Sequence, residues 1–342
     1  MKIVHIILTH SFAGSERYAV ELANLQAEHH DVTLILHKRG AEDRPNAIAH
    51  RVSHKVKVVQ VAGFKWLAIY RARQLLRQLQ PDVAHAHLSA ACRVLHGVKG
   101  LCLRVATLHI HYKKQQHANL DALIAIAPWQ LAAIPAHLKP HSTQLDNWSL
   151  ARPAAPNARQ RLRQQYGIAE NEIVFGTLGR VEQSKGQDVL LQAFLQAAIP
   201  NSRLVIVGEG KSWQALRNSA PASVIMPGFS TCPQDWLACF DVFVSAAQTE
   251  PFGLVFLEAM HAGLPIVATA SEGAKYLQPH FATPLAPLND PAQLAQCLQQ
   301  QQHDIAKRHY AMAQFDPSAK VAEVLHFYQQ QLKAQQKPMH KT

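Results

Sequence analysis

Cysteine is scarce and unpatterned in this chain. Cys92, Cys102, Cys232, Cys239 and Cys297 are odd in number and show no Cys-x-x-Cys spacing, which argues against a disulfide framework or zinc site and predicts reduced, buried thiols. Long apolar runs are missing too, since no segment approaches the roughly 18 apolar residues that cross a bilayer. The run in Met1-Lys2-Ile3-Val4-His5-Ile6-Ile7-Leu8-Thr9-His10 is short and lacks a small-residue cleavage pattern. It reads as a first buried strand rather than a secretion signal, and the chain is expected to be cytoplasmic. No Asp-x-Asp occurs. The pairs His85/His87 and His109/His111, whose i,i+2 spacing puts each pair on one strand face, are joined by no obvious carboxylate. A catalytic metal is therefore not expected.

Acidic residues are also in short supply: 23 Asp and Glu face 34 Lys and Arg, a formal charge of +11. Much of the excess lies in arginine-rich amphipathic stretches over 68–77 and 159–163. Such a balance favours anionic partners, whether nucleotide diphosphates, an acidic membrane leaflet or phosphorylated glycolipid, with a merely solvated basic surface as the competing reading. Nucleic acid is disfavoured because no recognition module accompanies the charge.

What is present is apolar and periodic. An apolar share of 48% over 342 residues is ample for two buried cores. Apolar runs alternate with helical segments, the pattern of parallel α/β units. Strands are expected over 3–8, 32–36, 56–61, 83–86, 105–110 and 122–126, with the clearest helix over 66–79, ending before Pro81. A turn-rich stretch, Ala151-Arg152-Pro153-Ala154-Ala155-Pro156, reads as a linker. A second series follows over 173–178, 204–207, 224–226, 242–245 and 266–269. The expected fold class is α/β, with two facing, Rossmann-like, doubly wound domains over 1–150 and 151–318 and a cleft between their carboxyl edges.

Four stretches carry chemistry. Glu250 and Glu258 stand eight positions apart across Pro251-Phe252-Gly253 and the start of an apolar helix, just over two helical turns, so that both can face one cleft. Residue types alone leave a second reading open, a helix-start acid and a solvated helix face. In Gly179-Arg180-Val181-Glu182-Gln183-Ser184-Lys185-Gly186, two cations five positions apart follow the first strand of the second series. Arg180 is suited to bidentate phosphate contact and Lys185 to serve as a point charge, unless both are ordinary surface cations. In the first series, Gly14 introduces a helix after strand one, and His109 sits at the end of a strand in Thr107-Leu108-His109.

The pattern Glu-x7-Glu with Pro-Phe-Gly after the first Glu, Glu-Ala-Met-x-Ala-Gly-x-Pro around the second, and Gly-Arg-x4-Lys-Gly upstream resembles family 4 of the retaining glycosyltransferases, also called group 1, built on the GT-B fold. The resemblance implies transfer of a hexose-type sugar from a nucleotide diphosphate sugar to an acceptor hydroxyl, with no cofactor and no metal. Glu250 would contact the donor sugar, the Phe252, Gly253 and Leu254 backbone the diphosphate, and Glu258 the ribose hydroxyls. Arg180 and Lys185 would stabilise the leaving diphosphate, and His109 would sit beside the donor sugar. Gly14 would approach donor phosphate, although the first glycine of the family's pair is Ala13 here. Loops at Val207-Gly208-Glu209-Gly210 and Met226-Pro227-Gly228-Phe229 would surround the base, and a terminal helix over about 319–342, frayed at Pro338 to Thr342, would cross back to the first domain. The family's Gly-Gly-x-x-Glu segment is replaced by Ser271-Glu272-Gly273-Ala274-Lys275. Composition points to a glycan or glycolipid acceptor of lipopolysaccharide or another bacterial surface polymer, reached by peripheral contact with an anionic inner membrane face. A phosphorylase would need a pyridoxal-phosphate lysine, which neither sequence nor length supports. A catalytically silent nucleotide-sugar-binding partner is the alternative from a different class.

Overall fold

The computed structural model describes residues 1–44 and 46–336, so the expected frayed end at Pro338 to Thr342 lies outside the described residues. The chain divides into two compact units, Met1–Trp148 with the segment from Phe315 onward, and Ser149–Gln314.

In the first unit the strands are β1 (Lys2–Ile7), β2 (Asp31–His37), β3 (Lys57–Val61), β4 (Val83–His87), β5 (Leu103–Leu108), β6 (Ala122–Ala125) and β7 (Ser142–Gln144). They form one parallel sheet in the order β3-β2-β1-β4-β5-β6-β7. Alternation along each strand divides the core. Ile3, Ile7, Val83, Leu103 and Val105 meet the helices Gly14–Gln26 and Pro317–Gln336, the latter through Val321, Val324, Phe327 and Tyr328. Val4, Ile6, Ala84, Ala86 and Ala106 meet the helices Lys65–Leu79 and Leu88–His96 on the other face. The helix Lys65–Leu79 ends at Gln80 in the left-handed region (φ 47°), immediately before Pro81.

The second unit holds β8 (Ile173–Leu178), β9 (Ser202–Val207), β10 (Val224–Gly228), β11 (Val242–Ser245) and β12 (Ile266–Ala268), all parallel, in the order β10-β9-β8-β11-β12. Chain direction across each sheet reverses once, between β1 and β4 in the first and between β8 and β11 in the second. At such a switch point the two adjacent loops leave the carboxyl edge in opposite directions and open a crevice.

Four expectations need correction. Strand 105–110 stops at Leu108, so His109 and His111 lie in the following loop and not on one strand face. Cys232 is exposed, whereas Cys92 and Cys239 are buried as expected. β7 was not expected. The Arg159–Arg163 stretch is not a free basic surface: Arg159 and Arg163 each reach Asp241 at 2.7 Å and Arg161 reaches Asp235 at 2.7 Å. Its charge is spent inside the unit.

Candidate functional site

In the second unit the loops after β8 and β11 flank the switch point, and they carry most of the residues singled out in the sequence. The β8 loop turns through Gly179 (φ 150°) and ends at Gly186 (φ 62°), which begins the helix Gln187–Ala197. A Cβ on Gly186 would stand 2.1 Å from the Ala246 carbonyl oxygen, so only glycine lets the two loops meet. They are then sewn together: the Ser184 carbonyl accepts from the amides of Gln248 and Thr249 at 3.0 and 3.1 Å. This contact delivers Lys185 to Glu250, with Nζ donating to Oε2 at 2.7 Å. Arg180 lies on the same loop, 66% exposed, with Nη2 3.3 Å from Glu182 Oε1. Glu182 also accepts from Ser184 Oγ at 2.9 Å, so it steadies the loop, a role the sequence did not signal.

Glu250 is not on a helix. The chain passes Pro251 and Phe252, and the helix Leu254–His261 begins only after Gly253 (φ 94°). Glu250 and Glu258 are therefore not two turns of one helix apart, and the spacing argument for a common face fails. The structure instead sets Glu250 at the mouth of that helix, its Cγ 3.3 Å from the position a Gly253 Cβ would take. The first amides of the helix have no intrahelical acceptor and carry partial positive charge. Phe252 is 1% exposed and packs on Tyr276, so its ring is core and only its backbone is available to a ligand. Glu258 sits half-buried on the second turn.

The Ser271–Lys275 segment has a definite part in this. Ser271 caps the helix Glu272–Phe281, and Gly273 N donates to Glu250 O at 2.7 Å. A Cβ at Gly273 would stand 2.4 Å from Phe252 O, so this glycine is the point where the helix closes on the Glu250 backbone. The two further glycine loops join the same edge: Gly208 N donates to Gly228 O at 2.8 Å and Val181 N to Glu209 O at 3.0 Å.

In the first unit Gly14 opens the helix Gly14–Gln26 and is exposed, and His109 follows β5. Beneath His109 lies a buried histidine cluster that the sequence reading did not assemble. His5 is the register partner of His85 in the parallel pair β1–β4, and His87 lies on the same face. These three offer ligand nitrogens within 4.8 Å of one another. All their ring nitrogens are already engaged, however. His5 bonds His87 (3.0 Å) and Gln26 (2.8 Å), His85 bonds Tyr328 (2.6 Å) and Thr107 (2.8 Å), and His87 also bonds His109 (3.2 Å). Burial pushes the His5 imidazole down to about 4 against the opposing Gln26 hydrogen bond, and His109 down to about 3. Burial, reinforced by neighbouring histidines, holds His85 and His87 well below the usual range. The cluster is neutral at ordinary pH.

Comparison with known proteins agrees with both halves. A family model for Glycosyltransferase Family 4 matches residues 12–175, and one for Glycosyl transferases group 1 matches 172–304. The chain is 27% identical over 302 residues to the lipopolysaccharide core biosynthesis glycosyltransferase LpsD of Rhizobium meliloti, covering 82% of this chain and 81% of that one. It is 25% identical to the lipopolysaccharide glucosyltransferase WaaG of Escherichia coli, covering 77% and 71%. Anabaena HepE, solved with UDP and glucose, superposes with a TM-score of 0.76 over 98% of this chain and 99% of that one at 21% identity, a likeness of fold. WaaG has been solved as well and superposes at a TM-score of 0.68. Two doubly wound parallel sheets, the two loops joined at the second switch point and the two matched domains together show that the chain belongs to the group 1 and family 4 glycosyltransferases, of GT-B fold.

Proposed function

We propose that this glycosyltransferase moves a hexose-type sugar, with retention of anomeric configuration, from a nucleotide diphosphate sugar to a hydroxyl of a lipopolysaccharide or other surface-glycan acceptor. The observation that carries it is the Lys185–Glu250 contact at the mouth of the Leu254–His261 helix. Breaking a sugar–phosphate bond leaves negative charge on the diphosphate and positive charge on the sugar. Lys185, Arg180 and the Gly253 and Leu254 amides answer the first, and Glu250 stands where it can hold sugar hydroxyls. An ammonium has three donors; Glu250 takes one at 2.7 Å and the Thr249 carbonyl a second at 3.5 Å, which leaves Lys185 a third for phosphate. Glu258, on the same helix, is assigned the ribose. No side chain in the second unit's site is placed as a general base, so the leaving phosphate takes the acceptor's proton. Because the cations supply the charge, turnover is expected to persist in EDTA.

The names of LpsD and WaaG support the acceptor class, and the UDP and UDP-glucose in HepE structures make a UDP-sugar the first donor to try. No described helix is long and apolar enough to cross a membrane. The helix Lys65–Leu79 has another character. Phe64, Trp66 and Tyr70 are 72%, 65% and 57% exposed at its start, four residues past the carboxyl end of β3. Its Arg71, Arg73 and Arg77 bond only backbone carbonyls, and among the described residues none of the three pairs with a carboxylate. Exposed aromatics beside uncompensated arginines suit the headgroup layer of an anionic bilayer, where a glycolipid acceptor resides.

The test is transfer from UDP-, GDP- and ADP-linked sugars to a lipopolysaccharide-core acceptor, with the new anomeric proton followed by NMR. Retained configuration supports the proposal. Inversion contradicts it, and absence of turnover with every donor that binds would make the chain a silent partner.

A further inference from the structure

The carboxyl edge of the first sheet holds cations that the site described above does not use. His37 ends β2, and both its ring nitrogens are committed: Nε2 donates to the Gly63 carbonyl at 2.9 Å and Nδ1 accepts from the Arg39 amide at 3.2 Å. Against this fixed ring lies His10 from the loop after β1, centroids 4.5 Å apart. The loop after β2 is closed by Ile48 N donating to Gly40 O at 2.8 Å and tied to the β1 loop by Phe12 N donating to Asn46 O at 3.1 Å. Arg44 is anchored in it, with Nε and Nη2 donating to Arg39 O at 3.2 and 2.8 Å. The exposed Arg39 guanidinium and the exposed His10 ring form no hydrogen bond or ion pair with another described residue. Of the acids on this loop, Asp43 faces His50 at 3.7 Å and Glu42 pairs with neither arginine. Partial burial, then the fields of His37, Arg39 and Arg44, push the His10 imidazole below its ordinary range against the pull of Glu42.

We propose that His10, Arg39 and Arg44 form a phosphate-binding site on the first unit, which takes a phosphate ester carried by the acceptor glycolipid. The acceptor rests on the glycosyl-transfer reading above; the affinity for phosphate does not. Arg39 offers a planar fork for two phosphate oxygens, and Arg44 adds donors on Nη1 whose direction its bonds to Arg39 O already fix. His10 adds an imidazole whose protonated form an anion favours. A planar carboxylate has two oxygens and suits one fork, whereas a tetrahedral phosphate can serve all three groups. Location supplies the source of the phosphate. Gly63, which His37 bonds, is followed directly by Phe64, and Phe64, Trp66 and Tyr70 are the exposed aromatics assigned above to the headgroup layer. The phosphate esters of a glycolipid lie in that layer, beside the loops that carry the three cations.

The test begins with inorganic phosphate and the full chain labelled at histidine, with UDP present to occupy the second unit's site and the His10 ring signal assigned through His10→Ala. At about pH 6 the signal should move toward its protonated position as phosphate is added and then saturate, while chloride at equal ionic strength leaves it in place. Arg39→Gln keeps the backbone amide and carbonyl that bond His37 and Arg44, and it should weaken the response about tenfold, the worth of one charge-assisted hydrogen bond. No saturable shift, the same shift with chloride, or a response unchanged in Arg39→Gln overturns the site. A second arm compares transfer to a phosphorylated lipopolysaccharide core with transfer to the same core after phosphatase treatment. The wild-type chain should favour the phosphorylated acceptor about tenfold in kcat/KM, mainly through KM, and Arg39→Gln should treat the two alike. Equal use of both acceptors by the wild-type chain overturns the acceptor assignment. So does an Arg39→Gln chain that keeps its preference but loses binding to phosphatidylglycerol vesicles, which would give the phosphate to the bilayer. Absence of turnover with either acceptor would count against the glycosyl-transfer reading, while the His10 signal still decides the site.

Discussion

Lys185 Nζ and Glu250 Oε2 stand 2.7 Å apart although 65 positions separate them in the sequence, and both side chains keep part of their surface open, 22% and 16%. A partly open pair of this kind contributes about 1 kcal/mol to stability, so on the proposed reading its removal acts mainly on turnover. Lys185→Met and Glu250→Gln should each lower turnover by about 10²–10³-fold while shifting Tm by only a few degrees. Steady-state kinetics beside thermal unfolding separate the two effects. Unfolding of either variant in step with its loss of activity would count against the assignment.

Gly186 is the residue that lets the two loops approach. With φ at 62° and a Cβ that would meet the Ala246 carbonyl at 2.1 Å, Gly186→Ala must push the loops apart and move Lys185 off Glu250. The expected result is a loss of about 2 kcal/mol in stability and at least tenfold weaker UDP binding by calorimetry. Unchanged binding would show that the loops act independently.

Asp241 organises the base of the same unit. It accepts from Arg159 and Arg163 at 2.7 Å and from Val174 N at 2.8 Å, and Arg163 is 1% exposed. Asp241→Ala strands the buried guanidinium and should cost about 3–5 kcal/mol, lowering Tm by roughly 10 °C. The double change Asp241→Leu with Arg163→Met should cost less than the single one, which denaturant titration can measure.

The histidine cluster gives the first unit a pH dependence of known sign. Unfolded histidines take up protons below about 6.5, whereas folded His5 and His109 wait until about 4 and 3, and His85 and His87 also stay neutral well below 6.5. Between those limits the unfolded chain binds more protons. Stability is therefore full above pH 6.5 and falls on acidification, by up to about 1.4 kcal/mol per pH unit for each histidine. Urea midpoints should hold between pH 7.5 and about 6.5 and then drop steadily to pH 5, and a flat profile across the whole range would refute the buried neutral cluster.

Strands such as β1 and β8 were legible because a parallel strand covered on both faces reads as an unbroken apolar run. β7 was not, since Ser142, Thr143 and Gln144 are polar and half-buried at a sheet edge. The motif around Glu250 marked the right loop, but the helical spacing to Glu258 misled because Gly253 delays the helix to Leu254. Gly273 looked like a departure from pattern until its amide was found on the Glu250 carbonyl. The buried histidine cluster depends on β1 pairing with β4, which sets His5 opposite His85 with His87 on the same face, a register that no local spacing encodes. The pairing of Arg159 and Arg163 with Asp241, across 82 and 78 positions, was hidden for the same reason.

Calorimetric titration of UDP into the wild-type chain and into a Lys185→Ala, Glu258→Ala double variant tests the central claim most directly. A donor site at the second switch point predicts micromolar binding that weakens at least 100-fold in the variant, about 3 kcal/mol. Equal binding by both proteins would place the nucleotide elsewhere and contradict the account.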